Sequence, residues 1–353
     1  MSDTPVVVGI LYPSEWYGDA DGFAREVAAI EALDARVRVI AQGYVEPHEL
    51  RSARGTPGAE DLRDRAPALT DAQRAAFAEI TVAVAIDLPF DVVTHAPNLA
   101  WVQSVGAGTG QLQSAGLASA GIRLTSAAGV NAVGIAEFVL ARVLQHWKRL
   151  STLDAARDRH EWTPVYGRQL AGTTLGLIGL GAINSAVASR AKAFGMRVLA
   201  TRRSATPGAT APDIDEVFPP DGLHTMLGRC DVVVAAVPET PETTGMMDAG
   251  AFAAKQQGAF FCNVGRGSFV DEPALIEALE RDHLGAAALD VASVEPLPGD
   301  HPLWNAPNLY LSPHGASVPS TLFVNLHELF RNNLARYLAG EPLRNEVDLT
   351  RGY

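Results

Sequence analysis

Four ionisable side chains follow apolar, strand-like runs in the second half of the sequence. Arg266 follows "FFCNVG", Asp290 and Glu295 lie in "AALDVASVEP", and His314 follows "LYLSP". In an open parallel sheet, residues at the carboxyl ends of strands face the ligand crevice, so we expect these side chains to lie close together. Histidine can donate a proton near neutral pH, and arginine can bind a carboxylate with two hydrogen bonds. Each residue taken singly also fits a structural role: an ion pair, a solvated loop or a core histidine.

A dinucleotide-binding turn is predicted where "TLGLIGLGAIN" leads into "AVASRAKAF". The apolar run ends in Gly179-x-Gly181, and an alanine-rich helix follows. Glycines there permit a tight turn and let backbone N–H groups at the helix start approach a pyrophosphate, which also brings in Ala182 and Ile183. The third glycine position of this motif holds Asn184. We expect slightly wider packing of helix against strand at Asn184, without loss of binding.

The residues after the next strand indicate which dinucleotide is preferred. An acid about 20 positions beyond the glycines would bind the ribose 2′-hydroxyl of NAD. This chain instead has "ATRRS", which places Arg202 and Arg203 there. Two permanent cations with planar donor groups suit a 2′-phosphate. The sequence therefore favours NADP(H), with NAD(H) possible, and the alternative is that both arginines are solvated residues at a helix start.

These sites must be carried by alternating strands and helices. "VVVGILY", "ITVAVAID" and "LAWVQSVGAG" are strand-like, and "GFAREVAAIEAL" has helical spacing. Residues 44–75 are rich in Gly, Pro and charge and are expected to form an excursion with one short helix. Residues 131–150 predict a long helix, and regularly spaced apolar runs then predict a parallel sheet of βαβ units. We expect a dinucleotide-binding domain at 126–316, with 1–125 and 317–353 joined in an outer substrate-binding domain.

Composition excludes several classes of partner. The 353 residues carry 28 basic and 40 acidic side chains, a net charge of −12, so a nucleic-acid partner is not expected. The N-terminus lacks the pattern of a signal peptide, and no apolar run is long enough for a membrane span, which favours the cytoplasm. The two cysteines, Cys230 and Cys262, lack metal-ligand spacing and are expected to be structural thiols. No metal site is predicted.

From about residue 101 to the end, the chain resembles the D-isomer-specific 2-hydroxyacid dehydrogenases, which include glyoxylate/hydroxypyruvate reductases and phosphoglycerate dehydrogenases. The resemblance depends on "LGLIGLGAI", "NVGRGSFVDEPAL", "ALDVASVEPLPGDHPLW", "SPHGAS" and "NLARYLAGEPLRNEVD". The first hundred residues match only in their general α/β pattern. The resemblance implies an α/β fold: a Rossmann-type doubly wound parallel sheet domain plus a smaller flavodoxin-like substrate domain.

The resemblance also implies a role for each matching residue. His314 is similar to the family's proton donor, Glu295 to the acid that favours its protonated form, and Arg266 to the residue that holds the substrate carboxylate. "SVGAG" resembles the loop whose N–H groups receive that carboxylate, which adds Val105, Gly106 and Ala107 as substrate-binding residues. The further cofactor-binding residues that the resemblance implies are Val237, Pro238, Thr243, Val264 and Asp290, the last orienting the nicotinamide carboxamide.

The implied reaction is reduction of a small 2-keto acid to a D-2-hydroxy acid with NAD(P)H. Thr109-Gly110 stands where relatives often carry an acid or amide, so the substrate preference is not implied. The open alternatives are a dinucleotide-sensing corepressor-like protein, an NAD-dependent phosphoglycerate dehydrogenase and, less favoured because Glu295 replaces its glutamine, a formate dehydrogenase. The resemblance further implies a homodimer that pairs through the helix at 131–150.

Overall fold

The computed structural model describes residues 4–54, 59–206 and 209–349. Its strands are β1 Val6–Ile10, β2 Val37–Ala41, β3 Val82–Ala85, β4 Trp101–Ser104, β5 Arg123–Thr125, β6 Thr174–Ile178, β7 Arg197–Thr201, β8 Glu216–Phe218, β9 Val232–Ala235, β10 Ala259–Asn263, β11 Leu284–Leu289 and β12 Leu309–Leu311. Its α-helices are α1 Ala20–Glu31, α2 His48–Arg54, α3 Asp71–Glu79, α4 Val92–His95, α5 Gly110–Gln113, α6 Leu117–Ala120, α7 Ala132–Trp147, α8 Leu150–Asp158, α9 Ala182–Ala193, α10 Leu223–Leu227, α11 Ala249–Ala253, α12 Glu272–Glu280 and α13 Pro319–Ala339. Short 3-10 helices occur at Ser14–Tyr17, Ala59–Arg65, Pro220–Gly222, Gly267–Phe269 and Pro302–Asn305.

The chain divides into two compact units. Unit 1 comprises Met1–Val130 and Pro319–Tyr353, and unit 2 comprises Asn131–Val318. The chain therefore leaves unit 1 and returns to it a few residues from the boundaries expected at 125 and 317. The functional assignment of each unit as substrate-binding or dinucleotide-binding remains a prediction at this point.

In the described part of unit 1, parallel strands pair in the order β2-β1-β3-β4-β5. Both faces of this sheet are covered. Val8 and Ile10 of β1 enter a core that contains Phe330 of α13, whereas Val7 enters the opposite core with Phe77 of α3. Burial on both faces explains why the strands read as continuous apolar runs. The strand order is that of flavodoxin-like folds.

In the described part of unit 2, parallel strands pair in the order β12-β11-β10-β9-β6-β7-β8. Counted from β6, this is the doubly wound Rossmann order with one further strand at the β12 edge. Alternate residues again enter opposite cores: Phe260 packs with Val187 of α9, and Phe261 packs with Leu275 of α12. The predicted fold class, a Rossmann-type domain with a smaller flavodoxin-like domain, is confirmed.

Two expectations about local structure were wrong. The excursion at 44–75 holds more than one short helix, because α2 and the 3-10 helix Ala59–Arg65 both precede α3; residues 55–58 lie outside the described chain. The long helix expected at 131–150 is interrupted after Trp147, where Arg149 adopts a left-handed backbone (φ 58°) before α8 begins. Strands β2, β5 and β8 have no counterpart among the predicted strands.

None of the described helices is both long enough and apolar enough to cross a lipid bilayer.

Candidate active site

The glycine turn between β6 and α9 has the geometry of a phosphate-binding loop. Gly179 has φ +81°, and a Cβ there would lie 2.6 Å from Cγ1 of Val237. A Cβ on Gly181 would meet no described atom within 4 Å, so packing within the protein does not require glycine there. The first bond of α9 runs from Ser185 N–H to Gly181 O, which leaves the N–H groups of Ala182 and Ile183 without partners in the helix. The open space and free donors fit a dinucleotide pyrophosphate.

Asn184 stands at the third glycine position, and its side chain forms hydrogen bonds with the turn. Its side chain is fully buried, and Nδ2 donates to the carbonyl oxygens of Ile178 at 2.9 Å and Gly179 at 2.7 Å. These bonds link the helix directly to the end of β6, and the wider packing that we expected there remains a prediction. Oδ1 of Asn184 has no partner among the described residues.

The end of β7 carries the two arginines in exposed positions. Thr201 faces inward and accepts a hydrogen bond from Gly179 N–H at 3.1 Å, whereas Arg202 and Arg203 are exposed. A hydrogen bond from Thr240 lowers the pKa of Glu242, and the charge of Arg203 contributes to this shift. The loop after β9 therefore comes near Arg203.

That loop and the end of β10 hold the other predicted cofactor residues. Thr243 Oγ1 donates to Pro238 O at 2.7 Å and accepts from Thr240 N–H at 2.9 Å, which fixes the turn that begins at Val237. Val264 is buried, and its N–H donates to Ala235 O. These contacts shape the edge of the sheet beside Gly179; direct contact of these residues with a cofactor remains a prediction.

Close backbone approaches position Arg266. Asn263 at the end of β10 accepts from Gly265 N–H at 3.0 Å and donates to Arg266 O at 2.8 Å, which reverses the chain. A Cβ on Gly267 would lie 1.9 Å from the carbonyl carbon of Ala292, so only glycine lets this turn contact the segment that follows β11. The Arg266 guanidinium donates to Gly265 O at 2.8 Å. Within the described ranges, no carboxylate lies within ion-pair distance of Arg266.

Asp290 holds the turn that carries His314. Its Oδ1 accepts from Ser312 Oγ at 2.7 Å, Gly315 N–H at 2.9 Å and Ala316 N–H at 3.1 Å, and its carbonyl oxygen accepts from His314 N–H at 2.8 Å. This scaffold keeps His314 in a left-handed backbone conformation with φ 54°. The structural role of Asp290 is thus explicit, whereas its contact with a nicotinamide carboxamide remains a prediction.

Glu295 and His314 form a hydrogen-bonded pair. His314 Nδ1 lies 3.1 Å from Glu295 Oε2, and Glu295 Oε1 accepts from Ala292 N–H at 3.0 Å. The hydrogen bond from His314 lowers the pKa of Glu295, and the same hydrogen bond raises the pKa of His314. The positive charge of Arg266 further lowers the pKa of Glu295 and opposes protonation of His314, which shows that the three groups interact electrostatically.

The predicted substrate loop lies at the carboxyl end of β4 in unit 1. Its first two N–H groups are already bonded: Val105 N–H donates to Ala85 O at 2.9 Å, and Gly106 N–H donates to Ser104 Oγ at 3.2 Å. The sheet and a serine thus engage these two groups within the protein, and their contact with a substrate carboxylate remains a prediction. Ala107 N–H has no partner in the described part of the chain and stays available for an anion.

Sequence reasoning missed the residues that hold the site together. Asn263 and Ser312 arrange the backbone of the turns, and Gly265 and Gly267 allow their close approach. Asn followed by x-Gly after a strand signals a side-chain-stabilised turn and was the available clue for Asn263.

Among the described residues, no cluster of His, Cys, Asp and Glu side chains could hold a metal ion. Burial raises the pKa of both cysteine thiols to about 12.

Comparison with known proteins decides the family. The model of the D-isomer specific 2-hydroxyacid dehydrogenase, NAD binding domain, matches residues 140–316. The chain belongs to the D-isomer specific 2-hydroxyacid dehydrogenase family. Its predicted classification as an NAD(P)-dependent 2-hydroxyacid dehydrogenase is thereby confirmed at the level of the family.

Family members with different names are similar to this chain. Glyoxylate reductase of Thermofilum pendens is 32% identical over 263 residues, which cover 71% of this chain and 75% of the relative. D-3-phosphoglycerate dehydrogenase of Archaeoglobus fulgidus is 32% identical over 267 residues, which cover 73% of this chain but only 49% of the relative. The chain thus spans about half the length of that protein.

A solved structure from the family extends the similarity to the whole chain. The NADPH-dependent glyoxylate/hydroxypyruvate reductase of Sinorhizobium meliloti, in complex with NADP and sulfate, has a TM-score of 0.72 and 26% sequence identity. The superposition covers 99% of this chain and 100% of the reductase.

Proposed function

We propose that this dehydrogenase reduces a small 2-keto acid to the D-2-hydroxy acid, with NADPH favoured over NADH. The observation that carries the proposal is the His314–Glu295 pair at 3.1 Å, with Arg266 close enough to influence the pKa of both groups. A proton donor beside a carboxylate-binding cation is what reduction of a 2-keto acid requires of the protein.

His314 would supply the proton. An ionised Glu295 carboxylate can only accept hydrogen bonds, so Nδ1 of His314 carries hydrogen in this pair. When the imidazole is protonated, Nε2–H is the second acidic hydrogen, and Nε2 has no partner in the described part of the chain. Since Glu295 raises the pKa of His314, the charged donor form persists to higher pH than in an isolated histidine.

Arg266 would hold the substrate carboxylate and stabilise negative charge that develops on the keto oxygen. Its guanidinium has five N–H donors, and Nη1 donates to Gly265 O. Within the described residues, no carboxylate forms an ion pair with this guanidinium. Ala107 N–H is a further donor for an anionic group. Val105 and Gly106 are proposed to belong to the same substrate loop.

NADPH fits the residues at the ends of β6 and β7. Bound NADPH would supply the hydride that reduces C2 of the acid. The N–H groups of Ala182 and Ile183 would hold its pyrophosphate, and the exposed Arg202 and Arg203 would hold its 2′-phosphate. The preference for NADPH is further supported by the S. meliloti relative, which is described as NADPH-dependent.

Oxidation of 3-phosphoglycerate is the second candidate activity. The A. fulgidus relative carries that name, although this chain matches only 49% of its length. Against this candidate, no acid follows β7, where Arg202 stands instead. The two candidates differ in substrate charge and in direction, so a substrate panel separates them.

The proposal is tested by initial rates with NADPH and with NADH, across glyoxylate, hydroxypyruvate, pyruvate and a branched 2-keto acid, together with oxidation of 3-phosphoglycerate. We expect turnover of at least one 2-keto acid, with higher kcat/KM for NADPH. A preference for NADH would contradict the proposed role of Arg202 and Arg203 alone. Tight NADPH binding without turnover of any acid would contradict the enzymatic proposal and favour a dinucleotide sensor.

His314→Asn tests the proton donor, with His160→Asn as its matched control. Both histidines are exposed and have positive φ, 54° and 57°, a conformation that asparagine tolerates well. Loss of a general acid costs about 100- to 10,000-fold in rate, so His314→Asn should lower kcat by that factor and leave NADPH affinity unchanged. His160→Asn should retain the activity of the unmodified chain.

The proposal includes a homodimer. Helix α7 buries much of its apolar face against α9 within unit 2, but Trp162 and Tyr166, between α8 and β6, are 102% and 89% exposed. Leu150 and Leu153 on α8 are exposed as well. A second copy of the chain would cover such aromatic side chains, which are costly to leave in water. Light scattering should give the mass of a dimer, and Trp162→Ser with Tyr166→Ser should shift it toward the monomer.

A further inference from the structure

A buried ion pair anchors the segment after β2, whose role the sequence left open. Arg54 at the end of α2 pairs with Glu46, and the side chains of both residues are fully buried. Beside them, Arg51 binds Asp87 through Nε at 2.8 Å and Nη2 at 2.6 Å, and Glu46 N–H donates to Asp87 Oδ2 at 2.9 Å. Helix α2 is therefore fixed to the loop after β3 by charged groups.

Arg54 connects the segments that follow β2, β3 and β4. It pairs with Glu46 after β2, and its Nη1 donates to Leu88 O after β3 at 2.6 Å. Its Nε donates to Ser114 Oγ at 2.9 Å, just beyond α5, which follows β4. Its guanidinium also lies 3.9 Å from the centre of the Phe90 ring. One planar group thus contacts the segments that follow three of the five strands in this sheet of unit 1.

The contact with Ser114 leads back to the substrate loop. Ser114 Oγ donates in turn to Gln111 O at 2.9 Å, and Gln111 Nε2 donates to Ile86 O at 2.9 Å. Gln111 lies in α5, which begins at Gly110, directly after residues 105–109, and Ser114 is the residue that ends this helix. The start of that loop is held by the bond of Val105 to the neighbouring strand. Its far end is held by the hydrogen bonds of Ser114 and Gln111.

We propose that Arg54 is a positioning residue for the substrate loop: through Ser114 it sets the position of α5, and hence of the Ala107 N–H that receives the substrate. This inference rests on the proposed function, because it assigns the loop to substrate binding. It gives residues 44–54 a role in selecting the substrate without placing any of them in contact with it.

A purely stabilising role explains this arrangement less well. Burying an arginine and a glutamate costs desolvation that the pair itself often does not recover, and apolar replacements are often as stable. In this pair, Glu46 Oε2 and Arg54 Nη2 have no partner among the described residues. The directional bonds to three segments are what an apolar side chain would not provide.

Ser114→Ala is the mildest test, because it removes the link to α5 and leaves the ion pair intact. Loss of one net hydrogen bond corresponds to about a 2- to 10-fold change, so we expect the KM for the preferred 2-keto acid to rise by that factor. kcat should stay within about twofold, and the NADPH Kd should not change. Ser119→Ala is the matched control: its hydroxyl donates to Gly116 O in the next helix, is exposed and does not contact Arg54.

Arg54→Met and the double variant Arg54→Met/Glu46→Gln separate positioning from stability. The single variant leaves a buried carboxylate without its cation and should lower Tm, whereas the double variant neutralises that carboxylate, keeps an acceptor for Tyr44 OH, and should recover part of the loss. KM for the keto acid should remain raised in both. If the double variant recovers both the Tm and the KM of the unmodified chain, the proposal is overturned.

The outcomes distinguish this inference from the function on which it rests. If the unmodified chain turns over no 2-keto acid, the proposed function fails. If it does turn one over, and Ser114→Ala and the double variant keep its KM, only the role of Arg54 fails. A fall in kcat with unchanged KM would also overturn that role, because the loop is proposed to bind the substrate carboxylate.

Discussion

The replacement of the third motif glycine by Asn184 leads to a quantitative prediction. Nδ2 of Asn184 satisfies the carbonyl oxygens of Ile178 and Gly179 in a fully buried position. Asn184→Ala removes both bonds, and Asn184→Asp replaces the donor by an oxygen that faces two carbonyl oxygens. Ser185→Ala, at the exposed neighbouring position of α9, is the control.

The magnitude follows from the two lost donors. A buried acceptor without a partner costs about 1–3 kcal/mol. Ile178 O retains a long bond of 3.3 Å from Ala236 N–H, and removal of the unpartnered Oδ1 offsets part of the loss. The free energy of unfolding should therefore fall by about 2 kcal/mol in Asn184→Ala. It should fall by about 3–5 kcal/mol in Asn184→Asp, which buries an uncompensated carboxylate.

Urea unfolding measures the stability, and titration of NADPH fluorescence measures the Kd. Asn184→Asp should bind NADPH at least about tenfold more weakly, because it distorts the Gly179 turn and adds negative charge beside the helix start that would hold the pyrophosphate. Ser185→Ala should match the unmodified chain in both measurements. Equal stability and equal Kd in all three variants would show that the two hydrogen bonds do not hold the turn.

Three further outcomes are expected. Glu295→Gln removes the carboxylate that raises the pKa of His314, so the alkaline decline of kcat/KM for keto acid reduction should move to lower pH; an unmoved pH–rate profile would contradict the pairing. Gly267→Ala places a Cβ against the Ala292 backbone. Circular dichroism and rate assays should show either loss of folding or a folded chain with at least about tenfold lower kcat/KM. Normal activity would contradict the close approach of these two segments. Lys255 is buried without a hydrogen-bond partner among the described residues, and burial lowers its pKa to about 7. Lys255→Met should thus stabilise the chain by about 2–4 kcal/mol in urea unfolding at pH 7, and by less as pH rises toward the unfolded pKa; an equal gain at pH 7 and 9 would refute this origin.

The sequence was sufficient for the fold class because the relevant signals are local. Continuous apolar runs, the helical spacing between them and the glycines after β6 each lie within a few residues of one another. Burial on both faces of a parallel sheet produces such runs directly, so their number and order predicted two α/β units. Strand β8 escaped because only its last residue, Phe218, is buried, so that it does not form a continuous apolar run.

Sequence reasoning also identified Arg266, Glu295 and His314 before their positions were known. Their types and their places after strands indicated proton transfer and carboxylate binding, and the structure brings Glu295 and His314 to 3.1 Å. The identity of the substrate is not encoded in these three residues.

Tertiary structure alone decided how the turns fit together. Gly267 meets Ala292, Asn184 reaches the carbonyl of Ile178, and Arg54 binds Ser114 across 60 positions of the chain. The bond from Val105 N–H to Ala85 O likewise depends on how the ends of β3 and β4 lie together. A sequence pattern reports which face of an element is apolar, whereas a hydrogen bond between distant segments depends on the distance and direction that packing gives them.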